Sequence, residues 1–79
     1  MNNYSTTFDV VCPVNGLTVR YHIHIATTDV IKVEDLLEEL ALFHTGFHED
    51  IADQLHQVFG GTQTMWAHHH GVDIRTVRN

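Results

Sequence analysis

Thr45-Gly46-Phe47-His48-Glu49-Asp50 separates two amphipathic helical patterns, and each of these is flanked in turn by two strand-like segments. Upstream, apolar residues fall at Val33, Leu36, Leu37, Leu40 and Ala41 of a run ending at Phe43, with Glu34, Asp35, Glu38 and Glu39 off that face. This is helical periodicity. His44-Thr45-Gly46 breaks it, and Thr45 reads as the N-cap of a second helix. Glu49 and Asp50 then fall in a first turn, where acids complement the helix dipole. The second stripe is Phe47, Ile51, Leu55, Val58 and Phe59, with Ala52 beside it, and Gly60-Gly61 ends it.

Outside the helices the period changes from 3.6 to two. Residues 1–4 are polar and read as a frayed end. Thr6–Val11 is rich in β-branched residues and reads as a strand, followed by Cys12 and the turn Pro13-Val14-Asn15-Gly16. From Leu17 to Ala26 the alternation is clear: Leu17, Val19, Tyr21, Ile23 and Ile25 face one way, and Thr18, Arg20, His22 and His24 the other. The two strands form a hairpin. After the second helix, Thr62–Ala67 and Gly71–Val77 read as a second pair. The expected fold is α+β, one domain over residues 1–79: a four-stranded antiparallel sheet (β-β-α-α-β-β) with both helices on one face.

Composition bounds what such a chain can do. Its 79 residues place it among domains that bury only about 60% of their unfolded surface, so a small fold of this kind gains from oligomerisation or a metal. The single cysteine has no partner for an internal disulfide and fits a reducing compartment. No apolar run approaches the roughly 20 residues of a membrane span, and the first residues carry no secretory pattern; a cytoplasmic location is expected. Ten acids against four bases, a formal charge of −6, argue against a surface that tracks nucleic acid. Eight histidines make the charge pH-dependent.

Five features carry candidate chemistry. Cys12 follows a strand and precedes a turn, a place where a thiolate can meet an electrophile; it can equally be a small buried apolar side chain. Glu49, in the first turn of the second helix, can accept paired N–H donors from a planar ring edge, or simply complement the dipole. His48 can exchange a proton near neutral pH, or be a solvated helix residue. His22 and His24, with His68, His69 or His70, can be read as a transition-metal set or as surface histidines; their spacing matches no zinc motif, and no metal is expected. Gly60-Gly61 is a helix terminator and forms no phosphate loop.

Three of these patches together resemble the QueF family of nitrile-converting enzymes. Phe8-Asp9-Val10-Val11-Cys12-Pro13-Val14-Asn15-Gly16 resembles the segment around its nucleophile. Phe47-His48-Glu49-Asp50 is similar to its Phe-His-Glu signature opening a helix, and Trp66 to Ile74 is similar to its last hairpin. Val33-Glu34 resembles a Val-Glu before the first helix. The resemblance spans residues 8–77 and implies the tunnelling fold (T-fold), whose subunits join their sheets into a β-barrel with pockets between subunits. It implies a place in 7-deazaguanine metabolism, of the queuosine or archaeosine kind, and 7-cyano-7-deazaguanine as substrate. Cys12 would add to the nitrile carbon to form a thioimide, Glu49 would clamp the guanine-like edge, His48 would handle or orient the proton, and Glu34 would be a second substrate contact.

The chain also departs from that pattern. The family carries an Asp shortly after the turn glycine, whereas Leu17-Thr18-Val19 follow Gly16. The reductases have a lysine-rich first helix for NADPH phosphates, whereas this one reads Glu34-Asp35-Leu36-Leu37-Glu38-Glu39-Leu40. The last hairpin has His68-His69 in place of the family's Pro-Arg. The expectation is therefore a homo-oligomeric, QueF-like enzyme acting on a free base or nucleoside without NADPH. The alternatives are NADPH-dependent nitrile reduction, a non-catalytic deazapurine-binding or assembly protein, and a histidine-metal T-fold protein related to the pterin synthases only by fold.

Overall fold

The alternation in the strand-like segments predicts a half-buried sheet, and the computed structural model, which describes all residues 1–79, contains one. Strands β1 (Asn2–Val11), β2 (Thr18–Thr27), β3 (Thr62–His69) and β4 (Val72–Arg78) pair antiparallel in the order β1-β2-β3-β4. Helices α1 (Val33–Ala41) and α2 (His48–Phe59) sit between β2 and β3 in the chain and lie on one face. The register places Phe8 opposite Tyr21, Tyr21 opposite Ala67, and Ala67 opposite Ile74, so one row of side chains crosses all four strands beneath the helices. No helix is long and apolar enough to cross a membrane.

The core is where that face meets the helices. Val10, Ile23, Ile25, Ile51, Leu55 and Met65 are its most deeply buried large side chains, each contributing on the order of 1.5–3 kcal/mol by leaving water. From α1 only Leu36 and Leu40 are fully buried; Val33 and Leu37 remain exposed. α2 buries Ile51, Ala52 and Leu55 and ties itself to the last strand through Arg78, whose Nε donates to Asp53 Oδ1 at 2.6 Å. Gln63 closes the far end of α2, its Nε2 donating to the carbonyls of Leu55 (3.0 Å) and Gly60 (2.8 Å). Gly61, with φ of +70°, follows; a Cβ there would stand 2.6 Å from the Ala26 carbonyl oxygen, which explains why the connection to β3 needs glycine.

Three expectations about local structure are corrected. The N-terminal residues are not frayed: Asn2 pairs with Thr27, and Asn2 Nδ2 donates to the Asp29 carbonyl at 3.0 Å. α1 stops at Ala41 rather than Phe43. Thr45 does not cap α2, whose N-cap is Phe47. Instead Thr45 Oγ1 donates to the Val11 carbonyl (2.9 Å) while the Val11 N–H donates to the His44 carbonyl (3.0 Å). A hydroxyl suited to a cap is used to pin the interhelix segment to the end of β1, which brings the start of α2 against the β1–β2 turn.

The other sheet face carries no helix. It presents Asp9, Arg20, His22, His24, Trp66, His68, Asp73 and Arg75 in rows set by the register. Arg20 forks onto Asp9 with contacts of 2.9 and 3.2 Å, and His68 Nδ1 meets Asp73 Oδ1 at 2.7 Å. Two acids and two arginines cancel there, so the whole formal charge of −6 belongs to the helical side.

Candidate functional site

At one end of the sheet three structures converge: the β1–β2 turn, the β3–β4 turn and the N-terminus of α2. The first is held by its backbone. The Cys12 N–H donates to the Leu17 carbonyl (2.8 Å), the Gly16 N–H donates to the Cys12 carbonyl (2.9 Å), and Asn15 Oδ1 accepts from the Leu17 N–H (2.9 Å). Alternation along β1 puts Val10 on the helix-covered face and Val11 outward, so Cys12 turns inward again, half-buried against the core. The β3–β4 turn is a two-residue connection, His70-Gly71, with φ of +51° and +78°. Positive φ at both positions matches the twist of antiparallel strands.

Between these turns lies a cavity of about 150 Å³. Cys12, Tyr21, His48, Glu49 and His69 contribute its polar groups; Val19, Phe47, Ala67 and Ile74 contribute apolar walls. Cys12 and Glu49, 37 positions apart in the chain, therefore face one space. Glu49 comes from the first turn of α2, where the backbone N–H groups have no intrahelical partner and the dipole is positive. Gly46 allows the chain to enter the helix close to Ile51: a Cβ there would stand 3.3 Å from two of its side-chain carbons.

His48 is the unusual member. It is only 7% exposed, yet neither ring nitrogen makes a hydrogen bond of ordinary geometry, the Met65 backbone being its one weak partner. Its ring meets Tyr21 edge-on at 5.2 Å between centroids. Burial lowers its pKa from the ordinary value; Glu49 and the Met65 backbone oppose that shift and Arg78 adds to it. His48 is thus a neutral imidazole at pH 7, with one nitrogen able to accept a proton. Burying such a group without a well-formed hydrogen bond is unfavourable. Tyr21 is 4% exposed, its ring against Phe8 at 5.4 Å, and its pKa is raised by burial first and then by the charges of Cys12 and Glu49. It holds its proton at neutral pH.

Glu34 is not brought to this cavity. The Ile31 N–H donates to the Tyr4 hydroxyl (3.0 Å), and Tyr4 pairs with Ile25 far from the turns, so α1 starts at the opposite end of the sheet. The triple histidine divides three ways: His68 pairs with Asp73 on the open face, His69 lines the cavity, and His70 forms the turn and meets Asn15 Nδ2 across the two hairpins. His24 Nε2 meets Asn3 Oδ1 (3.0 Å), and His22 stands edge-on to Trp66 at 5.1 Å. No three histidine, cysteine or acidic side chains stand where they can hold a metal ion together, so the reading of His22 and His24 as part of a metal set finds no support.

Tyr21 was not among the candidates from sequence, and His69 was a candidate only as a metal ligand. The signal for Tyr21 was its place on the inward face of β2, two residues beyond Val19 in the strand that leaves the Cys12 turn.

One antiparallel four-stranded sheet with two helices on one face, in the order β-β-α-α-β-β, is the layout expected of a T-fold unit. The crystal structure of the archaeosine synthase QueF-Like in its apo form matches it with a TM-score of 0.70 over 98% of this chain and 89% of that one, at 15% sequence identity. At that identity the likeness shows the shared fold. No protein-family model matches the chain, and no curated protein does.

Proposed function

We propose that the chain is a QueF-like enzyme of 7-deazaguanine metabolism that binds 7-cyano-7-deazaguanine in this cavity and converts its nitrile through a covalent thioimide on Cys12. The observation that carries the reading is the cavity itself: a thiol, a buried imidazole and a helix-end carboxylate, from separate elements, share one space on this fold. Glu49 accepts paired N–H donors from the guanine-like edge. Cys12 Sγ, its proton taken by His48, attacks the nitrile carbon; the S–H bond adds across the C≡N bond and leaves a thioimide. Ammonia then attacks that carbon, expelling the Cys12 thiolate and forming an amidine.

NADPH does not fit as the cofactor. α1 presents Glu34, Asp35 and Glu38 to solvent with no base in its last turn, and a row of carboxylates repels phosphate. The cavity is also small: ligand sites usually measure roughly 300–1,000 Å³. Both β1 and β4 have an unpaired backbone edge, which favours association. We therefore place the complete site between copies of a homo-oligomer, where a neighbouring chain covers the open side of the ring; in that setting Glu34 of another copy is the form in which its proposed substrate contact survives. The acidic helical side favours a free base or nucleoside over a large RNA.

Incubation with 7-cyano-7-deazaguanine and ammonium, followed by chromatography and mass analysis of the small-molecule product, tests the proposed outcome. The amidine is expected, formed equally well without NADPH. An aminomethyl product that requires NADPH would replace this reading with the reductase, and tight binding with no product would replace it with a non-catalytic binding protein.

A further inference from the structure

Addition of a thiol to a nitrile needs an acid as well as a base, because negative charge builds on nitrogen as the S–C bond forms. If the cavity is read as the nitrile-addition site, its lining must supply that acid. Glu49 holds the ring edge. Neutral His48 is the acceptor of the thiol proton, and its remaining N–H lies on the other side of the ring from the accepting nitrogen. With the guanine-like edge on Glu49 and the nitrile carbon at Cys12, the acid must come from the remaining lining residues. The floor of the cavity is β2 and β3, and it is formed by Val19, Tyr21 and Ala67. His69 stands at the last residue of β3, beside the turn, on the rim. Tyr21 is the floor residue with a proton to give.

The hydroxyl is otherwise unemployed. Buried tyrosine hydroxyls usually find a partner, and in this chain the Tyr4 hydroxyl does, accepting from the Ile31 N–H at 3.0 Å. No residue of the chain makes a hydrogen bond with the Tyr21 hydroxyl, although the ring is packed between Phe8 and His48 and is 4% exposed. The ring is fixed, the residue lines the cavity, and its hydroxyl is not among the buried polar atoms, so it is open to a partner from outside the chain. The buried imidazole of His48 stands edge-on against the same ring.

We propose that the Tyr21 hydroxyl is the acid of this site, delivering its proton to the nitrile nitrogen as Cys12 Sγ adds to the carbon. The proposal rests on the nitrile-addition reading above. Three proton movements balance it. The thiol proton passes to a ring nitrogen of His48, the tyrosine proton passes to the nitrile nitrogen, and the tyrosinate regains a proton from the His48 imidazolium. The net change is one S–H added across one C≡N, with no oxidant or reductant. The raised pKa of Tyr21 keeps the hydroxyl protonated until nitrogen becomes basic. Val19, two residues earlier on the same face, is apolar and supplies no alternative donor.

Tyr21→Phe removes the hydroxyl and keeps the ring. The experiment follows thioimide formation by intact mass over time in wild type and Tyr21→Phe, and binding of the same base by calorimetry in Cys12→Ala and Cys12→Ala/Tyr21→Phe. Expected is a loss of about 100-fold or more in the rate of adduct formation, with affinity changed less than about threefold and the thermal midpoint of Tyr21→Phe within a few degrees of wild type. Adduct formation at the wild-type rate in Tyr21→Phe would overturn the role of Tyr21 and leave the thioimide reading standing. Equal losses in rate and affinity would also overturn it, showing Tyr21 to be a binding contact. No adduct in wild type would remove the thioimide reading and the acid with it.

Discussion

His48→Gln is expected to slow addition of Cys12 to the nitrile by about 10²–10⁴-fold. Glutamine can hydrogen-bond to whatever occupies the cavity, but it cannot take the thiol proton at neutral pH. The expectation comes from the state of the residue as well as its place. His48 is buried, neutral and without a hydrogen bond of ordinary geometry, and it lines the same cavity as Cys12. Stopped-time intact-mass analysis reads the rate directly, and an unchanged rate would remove His48 from the proton path.

The same residue makes a pH prediction with a definite sign. Its folded pKa lies below the ordinary value of 6.5. Above pH 6.5 both folded and unfolded chains hold it neutral, and it adds no pH dependence. As pH falls through 6.5 toward the lowered folded value, the unfolded chain takes a proton that the folded chain resists, so stability is lost. Urea midpoints at pH 7.5 and 5.5 are expected to differ more in wild type than in His48→Gln. Equal differences would mean that other histidines carry the acid sensitivity.

Glu49→Gln is expected to weaken binding of the base by about 10- to 100-fold, the worth of a hydrogen-bonded contact to a charged group, roughly 1.5–3 kcal/mol. The substitution keeps the shape but exchanges one acceptor oxygen for an NH₂ group that opposes the N–H donors of the ring edge. Glu49 is exposed and makes no ion pair in the chain, so folding is expected to be unaffected. Calorimetry in a Cys12→Ala background separates binding from chemistry. Wild-type affinity in Glu49→Gln would show that the ring is held elsewhere.

The element order and the inward face of β2 were legible because alternation and helical periodicity are local signals: Val19, Tyr21, Ile23 and Ile25 are buried as their spacing requires. Leu17, on the same phase, is 56% exposed because it lies before the first residue of β2, in the turn. Where the reading failed, a distant partner had overruled local preference. Thr45 has the chemistry of a cap but is drawn to the Val11 carbonyl, 34 residues away. Asn2 and Asn3 are polar at a chain end, yet β2 is long enough to pair with them. Glu34 was carried by motif position; along α1 it lies away from the cavity of its own chain, which leaves its proposed contact to a neighbouring copy. The three histidines look alike in sequence; only the register, with His68 outward, His69 inward and His70 in the turn, tells them apart. The meeting of Cys12 with Glu49 came from the family resemblance, and no residue spacing required it. Tyr21 escaped notice because a tyrosine on the apolar face of a strand is ordinarily core; only the missing partner for its hydroxyl marks it.

Intact-mass spectrometry of the wild-type chain after incubation with 7-cyano-7-deazaguanine, beside Cys12→Ala, tests the central claim most directly. The account predicts a mass gain equal to one molecule of the nitrile per chain in wild type and none in Cys12→Ala. Folded wild type that gains no mass, or Cys12→Ala that gains it equally, would contradict a thioimide at Cys12.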